Sequence, residues 1–348
     1  MIQTSHFLRE ISEQPAVFER LLNEGKESVE SAAAAIREFA PEWVLIAARG
    51  SSDNAARYGQ YLLGAHNRLG VGLAVPSLFT LYGAPPNMKR ALVIGISQSG
   101  QSPDIVSVLD EGKRQGALTL ALTNDPNSPL AQASTCTIPL LAGEEKAVAA
   151  TKTYTAELFV LAMLSTALSG NSQHQEELLT TPELMRRALA QNSDLVAPAR
   201  DFADAQKFVV IGRGFNYSTA FEVALKIKET SYLIAEPYST ADLLHGPVAM
   251  IDRDFPVILV APTGETQRDV PKLLELLADR GARVAAISDR DDVLSRAQAR
   301  IRLPANMPEW LSPIVAVGPG QLWAGALAAA HGQNPDKPRG LSKVTLTT

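Results

Sequence analysis

Short, fully apolar runs alternate along the chain with longer stretches in which apolar residues recur every three or four positions. The runs ALVIGIS (91–97) and PVILVAP (256–262) are of strand length and apolar at nearly every position. Such runs are typical of strands in a parallel sheet that is covered by helices on both faces. The order strand, helix, strand predicts doubly wound α/β units with right-handed crossovers.

This order of segments occurs twice. Three pairs of segments match at an offset of 164 or 165 residues: 44–63 (VLIAARGSSDNAARYGQYLL) with 208–227 (FVVIGRGFNYSTAFEVALKI), 90–100 (RALVIGISQSG) with 255–265 (FPVILVAPTGE), and 116–125 (GALTLALTND) with 281–290 (GARVAAISDR). Matches at nearly one offset indicate a duplicated domain. The interval is far too long for a solenoid repeat.

The repeat predicts two tandem doubly wound parallel-sheet domains, at 40–185 and 195–340. A length of 348 residues fits two domains of ordinary size. Residues 1–39 are amphipathic and are expected to form a helical arm, and residues 341–348 a C-terminal tail. The polar segment 170–200 is expected to be a helical bridge between the two copies.

Composition and charge exclude several classes of protein. The sequence has 32 Lys and Arg against 37 Asp and Glu, so it lacks the basic excess that neutralises nucleic-acid phosphates. Its one cysteine, Cys136, is expected to be a small core residue, and one cysteine cannot form an internal disulfide or a Cys-based zinc site. The histidines show no metal-ligand spacing. We expect neither a metal nor an organic cofactor.

The sequence shows no targeting or membrane signal. The N-terminal residues are polar and lack the apolar core of a signal peptide. No uninterrupted apolar run reaches the ~20 residues of a membrane span. A cytoplasmic protein that binds neither nucleic acid nor a membrane is therefore expected.

Two loops rich in Ser and Gly follow predicted strands of the first copy. One is Gly50-Ser51-Ser52, and the other is SQSGQS (97–102). Their hydroxyls and backbone N–H groups, at the start of a helix, could bind an anion beyond the strand ends, or they could be ordinary turn and N-cap residues. The second copy has APTGE (261–265) at the matching place, so one ligand loop is expected. The absence of a GxxxxGK[ST] pattern argues against a nucleoside triphosphate.

A charged stripe lies on an otherwise apolar helical segment of the second copy. At about 100° per residue, Glu222, Lys226 and Glu229 fall within an arc of roughly 60°. Charges on a buried helix must be paired or line a cavity. The same spacing also suits an ion-pair ladder on a solvent face. The pattern leaves both interpretations open.

Two further residues could take part in chemistry. His245 precedes Gly246-Pro247, and a histidine exchanges protons near neutral pH, although a histidine before Gly-Pro also commonly ends a helix. Lys343 follows the Pro-Arg-Gly loop near the end of the sequence. Spacing alone does not distinguish it from a solvated lysine.

From about residue 40 onwards, the chain resembles the sugar isomerase (SIS) domain family, and within it the isomerase half of glucosamine-6-phosphate synthase and the amino-sugar-phosphate deaminases that lack a glutaminase domain. The motifs that carry the resemblance are ARGSS, ISQSGQSPD, AVAATKTYTAE, the run IGRG…EVALKIKETSY, LLHGPVAMID and PRGLSK. Several separate motifs in the same order make the match specific.

The resemblance implies a sugar-phosphate site in the first copy. The residues that match the family's phosphate ligands are Ser52, Ser97, Gln98, Ser99 and Ser102, with Ser51 nearby. The family motif Val-Ala-Ser-Thr-Lys begins here at Val148. Ala150 stands where that motif has Ser, so one hydroxyl contact with the substrate is not expected.

The resemblance also implies catalytic roles for the second copy and the tail. Glu229 matches the proton-transfer glutamate, with Lys226 and Glu222 as supporting charges in the sugar site. His245 matches a ring-opening histidine that the family contributes across a dimer interface, which implies a homodimer. Lys343 matches the terminal lysine of the active site.

The expected reaction is that of a glucosamine-6-phosphate deaminase, which forms fructose 6-phosphate and ammonia from glucosamine 6-phosphate and water. A carboxylate that moves a proton between neighbouring carbons suits Glu229. The synthase carries a glutamine-hydrolysing domain with a Cys directly after the initiator Met, whereas residue 2 here is Ile. Release of ammonia from glutamine is therefore not expected.

Three alternatives remain open. Two are enzymes: a fructosamine-6-phosphate deglycase, and a galactosamine-6-phosphate deaminase or isomerase. The third is a non-catalytic regulator that senses a sugar phosphate. A regulator that binds DNA would carry a helix-turn-helix and a basic face, and residues 1–40 show neither. It could also dispense with Glu229, His245 and Lys343, which are all present.

Overall fold

The computed structural model describes residues 5–343. Residues 1–4 of the predicted arm and residues 344–348 of the predicted tail lie outside the described residues. Within the described range the strands form two five-stranded sheets, and every pairing of neighbouring strands is parallel. The predicted class, a tandem duplication of doubly wound α/β domains, is confirmed.

The two sheets repeat one strand order. The first contains β1 (Trp43–Ala47), β2 (Gly70–Leu73), β3 (Ala91–Ile96), β4 (Leu118–Thr123) and β5 (Cys136–Pro139), and the second contains β6 (Lys207–Gly212), β7 (Ile234–Tyr238), β8 (Pro256–Val260), β9 (Arg283–Ser288) and β10 (Ala299–Arg302). Their orders are β2-β1-β3-β4-β5 and β7-β6-β8-β9-β10. Strands β3 and β8 are buried at every position, as their continuous apolar runs predict.

The register of the strands fixes which residues of the two copies correspond. Val93 lies opposite Leu45, and Val257 lies opposite Val209. Both members of the second pair are 164 residues beyond their counterparts in the first. In the neighbouring strands β4 and β9 the separation is 165 residues. Thr119 of β4 pairs with Val93, and Val284 of β9 pairs with Val257. The pairing of the strands therefore reproduces the two offsets that the sequence repeat shows.

The helices account for most of the remaining chain. The predicted arm comprises α1 (His6–Ser12), α2 (Gln14–Glu24) and α3 (Lys26–Phe39). The others are α4 (Ser51–Asn67), α5 (Ser77–Thr80), α6 (Pro103–Arg114), α7 (Pro129–Ala133), α8 (Lys152–Ser169), α9 (Ser172–Leu179), α10 (Thr181–Gln191), α11 (Val196–Arg200), α12 (Tyr217–Ser231), α13 (Thr240–Leu244), α14 (Val270–Asp279), α15 (Asp291–Leu294) and α16 (Ser312–Ala330).

The chain divides into two compact units that exchange short segments. The first-sheet unit comprises Ala16–Glu145 and Lys152–Leu179, together with the C-terminal segment that begins at Ser342. The second-sheet unit comprises Thr180–Leu341, the N-terminal segment that ends at Pro15, and Lys146–Thr151. As a result, Lys343 belongs to the unit built on the first sheet.

Hydrogen bonds hold the exchanged segments in the second-sheet unit. The side chain of Asp336 accepts hydrogen bonds from the first N–H groups of α1, at His6 (2.9 Å) and Phe7 (2.8 Å). The buried carboxylate of Glu10 accepts the N–H groups of Lys146 (2.5 Å) and Ala147 (3.2 Å). Buried carboxylates need such donors, so α1 and the segment 146–151 stabilise each other.

One helix in the described part of the chain is long and apolar enough to cross a membrane. It runs over Glu309–Ala330 and includes α16, and 83% of its apolar window is buried inside the fold. Trp323 of this helix is fully buried and meets Phe202 edge-on, with 5.5 Å between the ring centroids. These contacts are those of a core helix.

A stacked pair of histidines should make the first-sheet unit sensitive to acid. The rings of His66 and His174 lie 4.2 Å apart. Burial, and to a smaller extent the neighbouring His174, lower the pKa of His66 to about 4 against the opposing effect of Glu177. Because unfolded histidine titrates near pH 6.5, the unfolded chain binds more protons between these values, and stability falls as the pH falls from about 6.5 to 4.

His66→Gln should flatten this acid dependence. Each pKa unit corresponds to about 1.4 kcal/mol, and solvent screening of a half-buried ring reduces the total to about 1–2 kcal/mol. The measurement is the urea midpoint at pH 7 and pH 4.5. His331→Gln, at a histidine outside this pair, is the control. Equal acid dependence in wild type and His66→Gln would contradict the assignment.

Candidate active site

The strand order locates a crevice at one end of the first sheet. In sheets of order 2-1-3-4-5, the crossovers diverge between the first and third strands, and ligands bind beyond the carboxyl ends of those strands. Here these are β1 and β3. The residues that follow them are 48–52 and 97–102, the two loops rich in Ser and Gly. The topology therefore places both predicted phosphate loops at the switch point.

Tight packing fixes the turn of the second loop. The Ser97 hydroxyl accepts the N–H of Gly100 at 3.1 Å. Gly100 has a φ of 63°, and a Cβ atom there would lie 2.1 Å from the hydroxyl oxygen of Ser128. Glycine is therefore required at this position, both for the left-handed conformation and for the close approach.

The second loop has backbone N–H groups and a hydroxyl that are available to a ligand. Within residues 5–343, the backbone N–H groups of Gln98 and Ser99 have no hydrogen-bond partner. Ser102 is the N-cap residue of α6, and its hydroxyl caps none of the described N–H groups of that helix. Free amides and a hydroxyl at a helix N-terminus are suited to an anion.

The hydroxyl of Ser52 has a partner that the sequence did not indicate. It donates to Glu157 of α8 at 2.7 Å, and both side chains are buried. Ser52 thus lies in the first turn of α4, directly after the first predicted loop, and its proton is directed at a carboxylate. Glu157 lies in an apolar helix, far from the loops in sequence, so spacing gave no signal for it.

An ion pair connects the two loops. The Arg49 guanidinium lies 2.7 Å from the carboxylate of Asp104, which is 1% exposed and lies in the first turn of α6. The second copy repeats the pair as Arg213 and Asp269. Because the copy that lacks the Ser-Gln pair retains it, this ion pair serves to fix the loops in both copies. The repeat offset, 164 for the arginines and 165 for the aspartates, is the signal that could have revealed it.

Lys343 binds a buried carboxylate of the first-sheet unit. Its Nζ lies 2.5 Å from Glu145 Oε2, and the lysine side chain is 26% exposed. Glu145 also accepts the N–H of Thr153 at 3.1 Å and the Thr153 hydroxyl at 2.7 Å. Lys343 is therefore an oriented, mostly buried cation, which excludes the alternative of a solvated terminal lysine.

The charged stripe of α12 is buried in the second-sheet unit. Glu222 and Lys226 are 0% exposed and Glu229 is 22% exposed, so the solvent-facing ladder is excluded. Lys226 Nζ lies 3.3 Å from Glu222 and 2.5 Å from Glu229. Two carboxylates share one ammonium, and only Glu229 remains in part accessible to a ligand.

The environment keeps Lys226 charged. Burial alone would lower the pKa of its ammonium, but the attraction of Glu222 and Glu229 outweighs burial and raises the pKa above its usual value.

Val148 and Ala150 also belong to the second-sheet unit, where their neighbours Ala147 and Ala149 pack in a small apolar cluster with Phe7.

His245 stands apart from these groups. It is exposed at the end of α13, and its ring makes no hydrogen bond or ion pair with the residues that the structure describes. Leu244 is 52% exposed and Met250 38% exposed beside it.

Sulfur chemistry finds no support at Cys136. It lies in β5, and burial raises the pKa of its thiol. A nucleophilic cysteine has a lowered pKa. Among the described residues, no group of three or more His, Cys, Asp and Glu side chains is placed to hold a metal ion.

Comparisons with known proteins match both copies to one family. The SIS domain family matches residues 41–167 and 201–331. The glutamine–fructose-6-phosphate aminotransferase (isomerizing) of Thermococcus kodakarensis is 35% identical over 351 aligned residues, which cover 97% of this chain. The chain spans 57% of the length of that relative.

Solved structures share the fold over nearly the whole chain. One from Silicibacter pomeroyi DSS-3, assigned provisionally as a phosphosugar isomerase, is 34% identical with a TM-score of 0.87, and the match covers 95% of this chain and 100% of that one. The glucosamine-6-phosphate deaminase of Thermotoga maritima has a TM-score of 0.73 and covers 99% of this chain and 100% of that one. Its 22% identity shows a shared fold.

Proposed function

The chain belongs to the SIS domain family, and from that membership we propose that it is a glucosamine-6-phosphate deaminase. It would convert glucosamine 6-phosphate and water to fructose 6-phosphate and ammonia in the cytoplasm. The observation that carries the proposal is the buried group Glu222, Lys226 and Glu229, in which the Glu229 carboxylate is paired with Lys226 and remains partly exposed. A module that only binds a sugar phosphate does not need this arrangement.

The sugar phosphate would bind the first copy through its phosphate. The free N–H groups of Gln98 and Ser99, the hydroxyls of Ser97 and Ser102, and the start of α6 offer donors at one place. Ser51 and Ser52 begin α4 at the same end of the sheet. Hydrogen bonds to a charged group are worth about 1.5–3 kcal/mol each, so a few of these account for micromolar to millimolar binding.

Glu229 would move the proton. In the open-chain aldehyde, its carboxylate removes the proton from C2, the electron pair shifts through C1 to O1, and O1 takes a proton from water to give an enolamine. The same carboxyl returns the first proton to C1 and the amino group gives one proton to water, which leaves a ketose imine at C2. Water then adds to C2, ammonia leaves, and fructose 6-phosphate remains. Lys226, which lies between its two carboxylates, would hold the Glu229 carboxylate in position for the first step.

Other groups would complete the sugar site. His245 would exchange the proton that opens the ring, and its exposure beside Leu244 and Met250 supports its contribution to a second subunit of a homodimer. Lys343, oriented by Glu145, would contact the sugar near its oxygens. Val148 would contribute backbone groups, and Ala150 leaves room where the family motif has a hydroxyl.

An ammonia-release assay tests the proposal. The purified protein is incubated with glucosamine, galactosamine, N-acetylglucosamine and fructosamine 6-phosphates, and ammonia and fructose 6-phosphate are measured. We expect fast release from glucosamine 6-phosphate and equal amounts of both products. Glu229→Gln protein purified in parallel controls for contaminating enzymes.

Each alternative has its own outcome in this assay. Turnover of fructosamine 6-phosphate alone would indicate a deglycase, and preference for the galactosamine substrate would indicate the epimer-specific enzyme. Binding of sugar phosphate with no turnover of any substrate would indicate the regulator. Any of the three would overturn the deaminase.

A further inference from the structure

In the second copy, backbone N–H groups of the loop that follows β8 donate hydrogen bonds to carboxylates of the same copy. The N–H of Thr263 donates to Asp289 Oδ1 at 2.8 Å, and the N–H of Glu265 donates to Glu309 Oε2 at 2.8 Å. The Thr266 hydroxyl lies 3.4 Å from the other oxygen of Glu309. Two anionic side chains therefore cap the loop that follows β8.

The matching loop of the first copy has no such cap. Ser99 corresponds to Thr263 at the offset of 164 that the strand register fixes, and its N–H has no partner within residues 5–343. Gln101 corresponds to Glu265, and its N–H makes only a long 3.3 Å contact with the hydroxyl of Ser99. The same amides are open to a ligand in one copy and occupied in the other.

One of the two side chains that provide the cap differs in charge between the copies. At the offset of 165, Asp289 corresponds to Asn124, which is neutral. The Asn124 side chain is used elsewhere, because its amide donates to Gly143 O at 2.8 Å and its oxygen accepts the N–H of Ala142 at 2.9 Å. The change from Asn to Asp thus places a carboxylate against a loop N–H of the second copy, where the first copy has an amide side chain that binds elsewhere.

Glu309 lies directly against the second loop. A Cβ atom on Gly264 would come within 2.2 Å of the Glu309 carboxyl carbon, so no other residue fits there without displacing Glu309. A phosphate that approached these amides would have to displace one carboxylate and face another at close range. Like charges at such distances oppose binding strongly.

We propose that the carboxylates of Asp289 and Glu309 prevent a sugar phosphate from binding to the loop of the second copy, so that each chain binds one sugar phosphate. This inference rests on the proposed function for the identity of the ligand. It differs from a mere loss of hydroxyls, since the loop of the second copy keeps the backbone donors and the carboxylates occupy them. Asp289 and Glu309 thereby determine which of two duplicated loops binds substrate.

Binding stoichiometry tests the inference. Equilibrium dialysis of the full chain with glucose 6-phosphate is compared between wild type and Asp289→Asn/Glu309→Gln. We expect one equivalent for wild type and two for the variant, with the second weaker. Glu265→Gln/Asp292→Asn is the matched control, because these exposed carboxylates pair with Arg268 and Arg290. It removes the same charge and should gain no equivalent.

The difference between variant and wild type decides the inference, and the wild-type value decides the proposed function. A variant that gains no equivalent overturns the inference, whatever wild type binds. A wild type that binds none contradicts the proposed ligand, while a gain of one in the variant would still support the role of the carboxylates. Two equivalents in wild type would overturn the inference as well. If the double variant does not fold, Glu309→Gln alone is measured in the same way.

Discussion

Glu229→Gln is expected to lower kcat for ammonia release by about 10²–10⁴-fold, the range that a positioned proton-transfer group contributes. Glutamine keeps the size of the side chain and can still accept a hydrogen bond from Lys226, but it cannot remove a proton from C2. The proposed phosphate contacts lie in the first-sheet unit and are unchanged. KM for glucosamine 6-phosphate should therefore stay close to that of wild type.

Solvent exchange separates this role from a structural one. In deuterium oxide, wild type should place deuterium at C1 of fructose 6-phosphate, and Glu229→Gln should not catalyse the exchange. Glu236→Gln, an exposed carboxylate in β7 of the same unit, is the control and should keep wild-type kcat. Unchanged turnover in Glu229→Gln with every sugar phosphate would contradict the proton-transfer assignment.

The Glu229→Gln variant also tests which subunit contributes His245 to the site. Mixed dimers of Glu229→Gln and His245→Ala chains contain one site with both groups intact if His245 acts across the interface, and none if it acts within its own chain. We therefore expect the mixture to regain a part of wild-type activity. Verified mixed dimers that stay inactive would place His245 outside the partner's site.

The fold can be predicted well from the sequence because its two signals, apolar runs of strand length and a repeat at a fixed offset, require no knowledge of tertiary contacts. Runs such as 91–97 are apolar at nearly every position, and a strand that is buried on both faces needs no other signal. The offset of 164 also carries over to the strand register, as Val93 and Val257 demonstrate. The family resemblance is confirmed by the match to SIS domains over 41–167 and 201–331.

Contacts between residues distant in sequence could not be predicted in this way. Periodicity places Glu222, Lys226 and Glu229 on one face of a helix, but it does not say whether that face meets solvent or is buried. Glu145 and Glu157 lie far in sequence from their partners, and only the fold brings Lys343 to the first and Ser52 to the second. Such pairings depend on long-range topology, which a local pattern does not contain.

Lys226→Met is expected to destabilise the protein by about 3–5 kcal/mol, the usual cost of removing one partner of a buried ion pair. Methionine fills a similar volume but leaves Glu222, which is fully buried, and Glu229 without their shared cation. Net stabilities of about 5–15 kcal/mol make this a large fraction of the total. Urea unfolding at pH 7 measures it, and Lys228→Met, an exposed neighbour on α12, should change stability by less than about 0.5 kcal/mol.

The pH dependence of the Lys226→Met defect identifies its cause. Without the ammonium, burial is expected to raise the pKa of the fully buried Glu222 carboxyl in the folded state above the unfolded value near 4.3. Folded protein then binds more protons than unfolded protein, so stability is regained as the pH falls towards that value. Glu222→Gln added to Lys226→Met should remove part of the defect at pH 7, because one uncompensated charge is gone. A defect of equal size at pH 7 and pH 5, unrelieved by Glu222→Gln, would instead indicate that Lys226 acts through packing alone.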